Sequence, residues 1–212
     1  MSYKEDLKKG KIERGNLTQN KLFLKEIKHI KKSQKILEVG CGAGSMTAHL
    51  HQQGFNIIGT DLSKDLLEYA QKTHPKTKFV LMNGESLDFE DESFDIVMSF
   101  DVIEHIPDTK QHFKEVHRVL KKGGKYIFVT PNKIVNLPYC IVKDKSLTKW
   151  KNYHMSLQTK RSICREFSKA GFRCEILIVN SYNKYIDSKL PPPLNIIAKT
   201  VGVAIHGVAT KK

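Results

Sequence analysis

Ile36-Leu37-Glu38-Val39-Gly40-Cys41-Gly42-Ala43-Gly44-Ser45 is the stretch that decides the fold. Its first four residues read as a short strand. Glycines at 40, 42 and 44 then allow a tight turn against which a ligand can rest. A helix follows to about Gln53. The spacing is GxGxG. A dinucleotide-binding loop would place its third glycine at position 45, which is Ser45, so a nicotinamide-dependent oxidoreductase is the least favoured reading. Asp61 follows the next strand, 21 residues beyond Gly40, where a carboxylate can accept hydrogen bonds from both hydroxyls of a ribose. The strand, glycine turn, helix, strand and aspartate together place a nucleoside in a crevice.

Outward from this unit, strands and helices alternate. Phe55 to Thr60, Lys78 to Met82, Phe94 to Phe100 and Lys125 to Thr130 read as strands. Between them, Ser63 can cap a helix bearing Leu66, Leu67 and Ala70. Pro107-Asp108 opens another, with Phe113, Val116 and Leu120 on one face, which Gly123-Gly124 stops. Thr159 caps a further helix with Ile163, Phe167 and Ala170, followed by strands at Cys174 to Val179 and Val201 to Ala209. A short helix is expected from Leu194 to about Thr200, after Pro191-Pro192-Pro193. Right-handed crossovers place helices on both faces of such a sheet. The expected fold is therefore α/β, Rossmann-like and doubly wound, with a mainly parallel seven-stranded sheet. Residues 34–212 form this domain, and residues 1–33 supply a basic helical segment packed on it, with Phe23, Ile27 and Ile30 on one side of a helix over about 18–32.

Five motifs carry a resemblance to a known family: Ile36 to Gly44; Gly59-Thr60-Asp61-Leu62-Ser63; Ser93-Phe94-Asp95-Ile96-Val97-Met98; Val102-Ile103-Glu104-His105-Ile106-Pro107-Asp108; and Arg118 to Gly124, leading to Thr130-Pro131-Asn132. In these the chain resembles the class I S-adenosylmethionine-dependent methyltransferases, in their small-molecule branch, which includes ubiquinone-biosynthesis O-methyltransferases. The resemblance is close over about 34–131 and looser over 154–209. It implies that S-adenosyl-L-methionine is the cofactor, with Gly40, Gly42 and Gly44 along its methionine part and Glu38 beneath them organising its ammonium group. It further implies Asp61 on the ribose, Leu62 on the adenine, and the loop Asn83-Gly84-Glu85 at the adenine amino group, with Phe100 at the end of the fourth strand also beside the cofactor. Asn83 stands where the family usually has Asp, and its side-chain carbonyl can accept the same hydrogen bond.

Methyl transfer from a sulfonium is an in-line displacement with an activated leaving group, so alignment and desolvation are the protein's main task. Ligands in open parallel sheets bind beyond the carboxyl ends of the strands, and the segment from Phe100 to His105 meets that condition. His105 is the candidate catalytic base, because its ordinary pKa lies near neutrality; the competing reading gives it a structural or cofactor-organising role. Residues 133–158 form a connection longer than usual and are a candidate substrate lid. Tyr139, Trp150, Tyr153 and His154 stand there among lysines, a mixture suited to an aromatic or anionic acceptor.

The chain has 212 residues and a net charge of +14. Its length suits a single domain. The charge is uneven: residues 1–35 carry +7, residues 36–132 carry −4 and residues 133–212 carry +11. Nucleic acid, anionic lipid and acidic small molecules are the partner classes this suggests. Ser99-Phe100-Asp101-Val102 lacks the Asn-Pro-Pro-Tyr chemistry that clamps an exocyclic amine, which disfavours a nucleic-acid methyltransferase. The charge also admits an RNA or membrane-lipid methyltransferase, and a non-catalytic cofactor-binding partner or sensor would need no dedicated base. Cys41, Cys140, Cys164 and Cys174 show no zinc-ligand spacing, so reduced thiols and no metal are expected. The absence of a long apolar run and the charged first ten residues point to a cytoplasmic protein. The sequence leaves the oligomeric state open.

Overall fold

The computed structural model describes residues 27–179 and 204–212. Seven strands, β1 (Lys35–Val39), β2 (Asn56–Asp61), β3 (Lys78–Leu81), β4 (Phe94–Phe100), β5 (Leu120–Pro131), β6 (Phe172–Val179) and β7 (Ala204–Lys211), form one sheet in the order β3-β2-β1-β4-β5-β7-β6. Pairing is parallel from β3 through to β5, whereas β7 runs antiparallel to both β5 and β6. The sheet is thus mixed: β7 opposes the direction shared by the other six.

Five helices accompany the strands among the described residues: α1 (Ser45–Gln52), α2 (Lys64–Thr73), α3 (Thr109–Val119), α4 (Lys133–Asp144) and α5 (Lys160–Lys169). Alternating strand residues feed two cores, as the pleat requires. Leu37, Ile58, Val97, Tyr126 and Phe128 meet Phe113 and Val116 of α3 and Ile163 and Phe167 of α5. Ile36, Ile57, Ile96, Met98 and Ile127 turn the other way, toward Leu50 of α1 and Ile27. Helices therefore lie on both faces. Ser63 caps α2, Asp108 caps α3 and Thr159 caps α5 through a capping box, as local side-chain acceptors should.

Three elements depart from the sequence reading. The α3 helix ends at Val119, four residues before Gly123, because Leu120 turns extended and pairs with Phe94; residues 121–124 enter β5 at a register shift. Residues 133–144 are helical although Pro138 lies within them. The carbonyl that this proline leaves without its usual donor belongs to Ile134, which is exposed. The last strand, described from Ala204, runs to Lys211 rather than ending at Ala209. Of the basic segment, Ile27 is buried and Ile30 packs beside it on the α1 core; residues 1–26, the prolines at 191–193 and the expected helix at 194–200 lie outside the described residues. No helix among the described residues is long and apolar enough to cross a membrane.

Candidate functional site

The strand order reverses at β1, which lies between β2 and β4, and a crevice opens there beyond the carboxyl ends of the strands. Its cavity measures about 630 Å³ and is lined by Gly40, Gly42, Asp61, Leu62, Asn83, Gly84, Glu85 and His105, together with Ser63, Met82, Asp101, Val102 and Met155. Eight of the eleven expected site residues thus share one cavity. Glu38, Gly44 and Phe100 do not line it.

The glycine loop is held from below and from the side. Gly40 and Cys41 both donate to the carbonyl of Thr60, at 2.7 and 2.9 Å. Gly40 has φ +73°, and a Cβ on it would lie 2.3 Å from a methyl of Val102. Gly42 has φ +55°, and a Cβ there would meet no protein atom within 4 Å, which leaves the space before the loop for a ligand. Gly44 serves packing: its Cβ would strike the Phe79 ring at 2.5 Å. Glu38 is buried under the loop and accepts from the Thr47 hydroxyl. Burial, opposed by the hydrogen bond from Thr47 and aided by the nearby Asp61, pushes its carboxyl up to about 7. A cation arriving over the loop would reverse that trend.

Asp61 is oriented by backbone donors. Gly42 N–H donates to its Oδ2 and Ser63 N–H to its Oδ1, each at 2.8 Å. Each oxygen keeps a lone pair for a further donor. The loop at 83–85 is built from α3. Asn83 Oδ1 accepts from Glu85 N–H at 2.9 Å, and Glu85 accepts from the Asp108 N–H at the helix cap. The Gly84 carbonyl lies 2.7 Å from His112 Nδ1, so that nitrogen must carry the proton. His112 Nε2 then accepts from the Tyr126 hydroxyl at 3.0 Å, which accepts in turn from Ser99. Burial keeps this imidazole neutral, with its pKa lowered to about 4.

His105 sits on a 3-10 turn, Ile103–His105, that follows β4. Its Nδ1 lies 2.5 Å from the Tyr153 carbonyl and its Nε2 lies 3.8 Å from Glu104 Oε1. Burial lowers its pKa below the ordinary histidine value. Glu104 is buried and accepts from the Thr130 hydroxyl at 2.9 Å. Burial and the neighbouring Asp101 raise its pKa. Asp101 adopts φ +52° and is exposed in the wall of the crevice. It follows β4 as Asp61 ends β2, so position at a strand terminus was the signal that could have found it.

The connection over 133–158 is tied to this turn: Ser156 N–H donates to the Glu104 carbonyl at 2.9 Å, and Lys133 N–H donates to the Gln158 carbonyl at 2.8 Å. Of its residues, Met155 reaches the crevice; Trp150 instead donates to the Leu147 carbonyl, and the Tyr153 hydroxyl donates to Asp144. His154 approaches His105, ring centroids 5.3 Å apart. Glu104, His105 and His154 each offer a ligand atom within 4.8 Å of the others. Tetrahedral zinc with bonds of about 2.0 Å would need separations of roughly 3.3 Å, so a cation would have to draw the set together.

The switch-point crevice, the glycine loop and the aspartate after β2 define the class I S-adenosylmethionine-dependent methyltransferase architecture. Residues 37–128 match the family described as a methyltransferase domain, and S-adenosylmethionine is the cofactor that this match supports. The chain is 32% identical over 122 residues to phosphoethanolamine N-methyltransferase 2 of Caenorhabditis elegans, covering 55% of this chain and 28% of that protein. It is 32% identical over 107 residues to a ubiquinone biosynthesis O-methyltransferase of Coxiella burnetii, covering 48% and 45%. The chain therefore spans less than half the length of either relative. A solved phosphoethanolamine N-methyltransferase 2 of Haemonchus contortus, in complex with S-adenosyl-L-methionine, superposes with a TM-score of 0.73 at 22% identity, over 93% of this chain and 53% of that one. An S-adenosylmethionine-dependent methyltransferase of Mesorhizobium loti gives 0.66 at 22%, over 84% and 91%.

Proposed function

We propose that this protein transfers a methyl group from S-adenosylmethionine to a small-molecule acceptor, and that the atom methylated is a hydroxyl oxygen. The observation that carries the reading is His105 at the crevice, with one ring nitrogen committed to the Tyr153 carbonyl and the other left to accept a proton. S-adenosylmethionine supplies the activated methyl group when bound. Asp61, fixed by two backbone donors, accepts from the ribose hydroxyls; Leu62 covers the adenine, and Asn83 accepts from its amino group. Glu38 balances the ammonium charge through the glycine loop. His105 Nε2 would take the proton that the acceptor hydroxyl gives up. The names of the relatives, one an O-methyltransferase and one a phosphoethanolamine N-methyltransferase, support a small acceptor.

An amine acceptor is the second reading, favoured by the carboxyl groups of Asp101 and Glu104 beside His105. The test begins with calorimetric titration against S-adenosylhomocysteine, with NADH as control. Turnover is then measured on paired hydroxyl and amine compounds. Binding of S-adenosylhomocysteine alone and turnover of the hydroxyl series support the proposal. Turnover of amines alone selects the second reading. Binding without turnover of any acceptor would fit a sensor or an inactive partner.

A further inference from the structure

The α4 helix carries an apolar stripe whose ends, Ile134 and Val142, are exposed and whose middle, Pro138 and Ile141, is half-buried. With 100° per residue, Ile134, Pro138, Ile141 and Val142 fall within an arc of about 100°; the buried residues Val135, Asn136 and Cys140 fill the adjoining arc, which begins beside Val142. An ordinary surface helix shows the reverse, polar outward. Ile134 is 48% exposed and Val142 44%, and beyond the helix Leu147 is 76% exposed. Of the six large apolar residues exposed among the described residues, these three and Met155 belong to the single connection 133–158.

Lysines surround the stripe. Between 133 and 152 stand Lys133, Lys143, Lys145, Lys149 and Lys151 against one acidic residue, Asp144, which already accepts from the Tyr153 hydroxyl. None of the five lysines forms an ion pair with a described carboxylate. Apolar residues flanked by uncompensated lysines, with Trp150 between them, match the composition that seats a segment in the headgroup region of an anionic bilayer. Soluble surfaces seldom leave such a patch uncovered.

We propose that α4 and the turn after it, through Ile134, Val142 and Leu147, dock on an anionic phospholipid surface. Met155, from the same connection, is 55% exposed and lines the crevice. An acceptor dissolved in the bilayer would then enter the crevice past Met155 toward His105. This last step rests on the proposed methyl transfer; the docking does not.

The test is cosedimentation of the full chain with vesicles of phosphatidylcholine alone and of phosphatidylcholine mixed with phosphatidylglycerol. The wild type should pellet with the mixed vesicles, with binding weakened by salt, and stay in solution with the neutral ones. The double variant Val142→Glu, Leu147→Glu should lose roughly tenfold or more in vesicle affinity while its affinity for S-adenosylhomocysteine stays unchanged. Calorimetry with S-adenosylhomocysteine reports separately on the crevice, so a failed cofactor reading is distinguishable from failed docking. Equal vesicle binding by the variant, no binding by the wild type, or equal binding to neutral vesicles would each overturn the proposal. So would sedimentation velocity showing a dimer that the variant dissociates, because the stripe would then be an interface between copies.

Discussion

His105 donates from Nδ1 to the carbonyl oxygen of Tyr153 across 2.5 Å, a bond between the turn after β4 and the connection that follows β5. A carbonyl can only accept, so the bond fixes the tautomer and leaves Nε2 with its lone pair. Burial holds the ring neutral to a lower pH than a free imidazole. His105→Ala should lower kcat by about 10²–10⁴-fold with little change in cofactor affinity, as read by steady-state kinetics beside calorimetry. The acid limb of the wild-type rate should have its midpoint below the ordinary histidine value of 6.5. Equal losses in turnover and cofactor affinity would instead assign His105 an organising role.

Asp61→Ala should weaken S-adenosylhomocysteine binding by about 1–3 kcal/mol, through loss of paired acceptors. The substitution also frees Gly42 N–H and Ser63 N–H, both now bound by the carboxylate. Asp61→Asn keeps an acceptor for one of these amides and should fall between wild type and alanine. A calorimetric series of the three proteins checks the order, and unchanged affinity in Asp61→Ala would remove this residue from the cofactor site.

Glu38 couples the site to pH. Its carboxyl is raised from 4.5 to about 7, so between those values the folded state holds a proton that the unfolded state has released. Stability contributed by the protonated form is complete below 4.5 and is lost as pH rises through about 7. Glu38→Gln should therefore raise the Tm more at about pH 8 than at about pH 5. Cofactor binding should show the opposite demand, since an ammonium group favours the carboxylate. Affinity of the wild type should climb through neutrality, and Glu38→Gln should flatten that climb.

His112 acts with the other sign. Its pKa falls from 6.5 to about 4 on burial, so the unfolded chain binds a proton before the folded one does. Stability is full above 6.5 and is lost as pH drops toward about 4. Denaturation followed against pH should show this loss, and Tyr126→Phe should cost about 1 kcal/mol by leaving His112 Nε2 without its donor. A Tyr126→Phe protein as stable as wild type would show that the link from Ser99 to the Gly84 carbonyl is not coupled.

Much of this was legible in the sequence, for identifiable reasons. The β1 strand and its glycine turn could be read because three glycines at alternate positions have few other uses, and Asp61 because its distance from them is set by one helix and one strand. Other features were hidden. Phe100, at the carboxyl end of β4, packs by strand parity with Ile96 and Met98 on the α1 face, a placement that counting the pleat gives. Gly44 carries the signature of the loop, but its small size is needed against Phe79. The α4 helix was obscured by Pro138 and by an apolar face that points outward. Tyr153 and Met155 reach the region of His105 only through tertiary folding of residues 133–158, for which no local pattern exists.

The insertion of β7 between β5 and β6 orders events during synthesis. As the chain emerges from its amino end, β6 is made before the strand that will join it to the sheet, so β5 keeps an open edge until residues 204–211 have left the ribosome. An open edge of this kind invites pairing with another nascent chain. Shortening the chain ahead of Ala204 would make that interval permanent, and the expected outcome is aggregation rather than a smaller soluble enzyme.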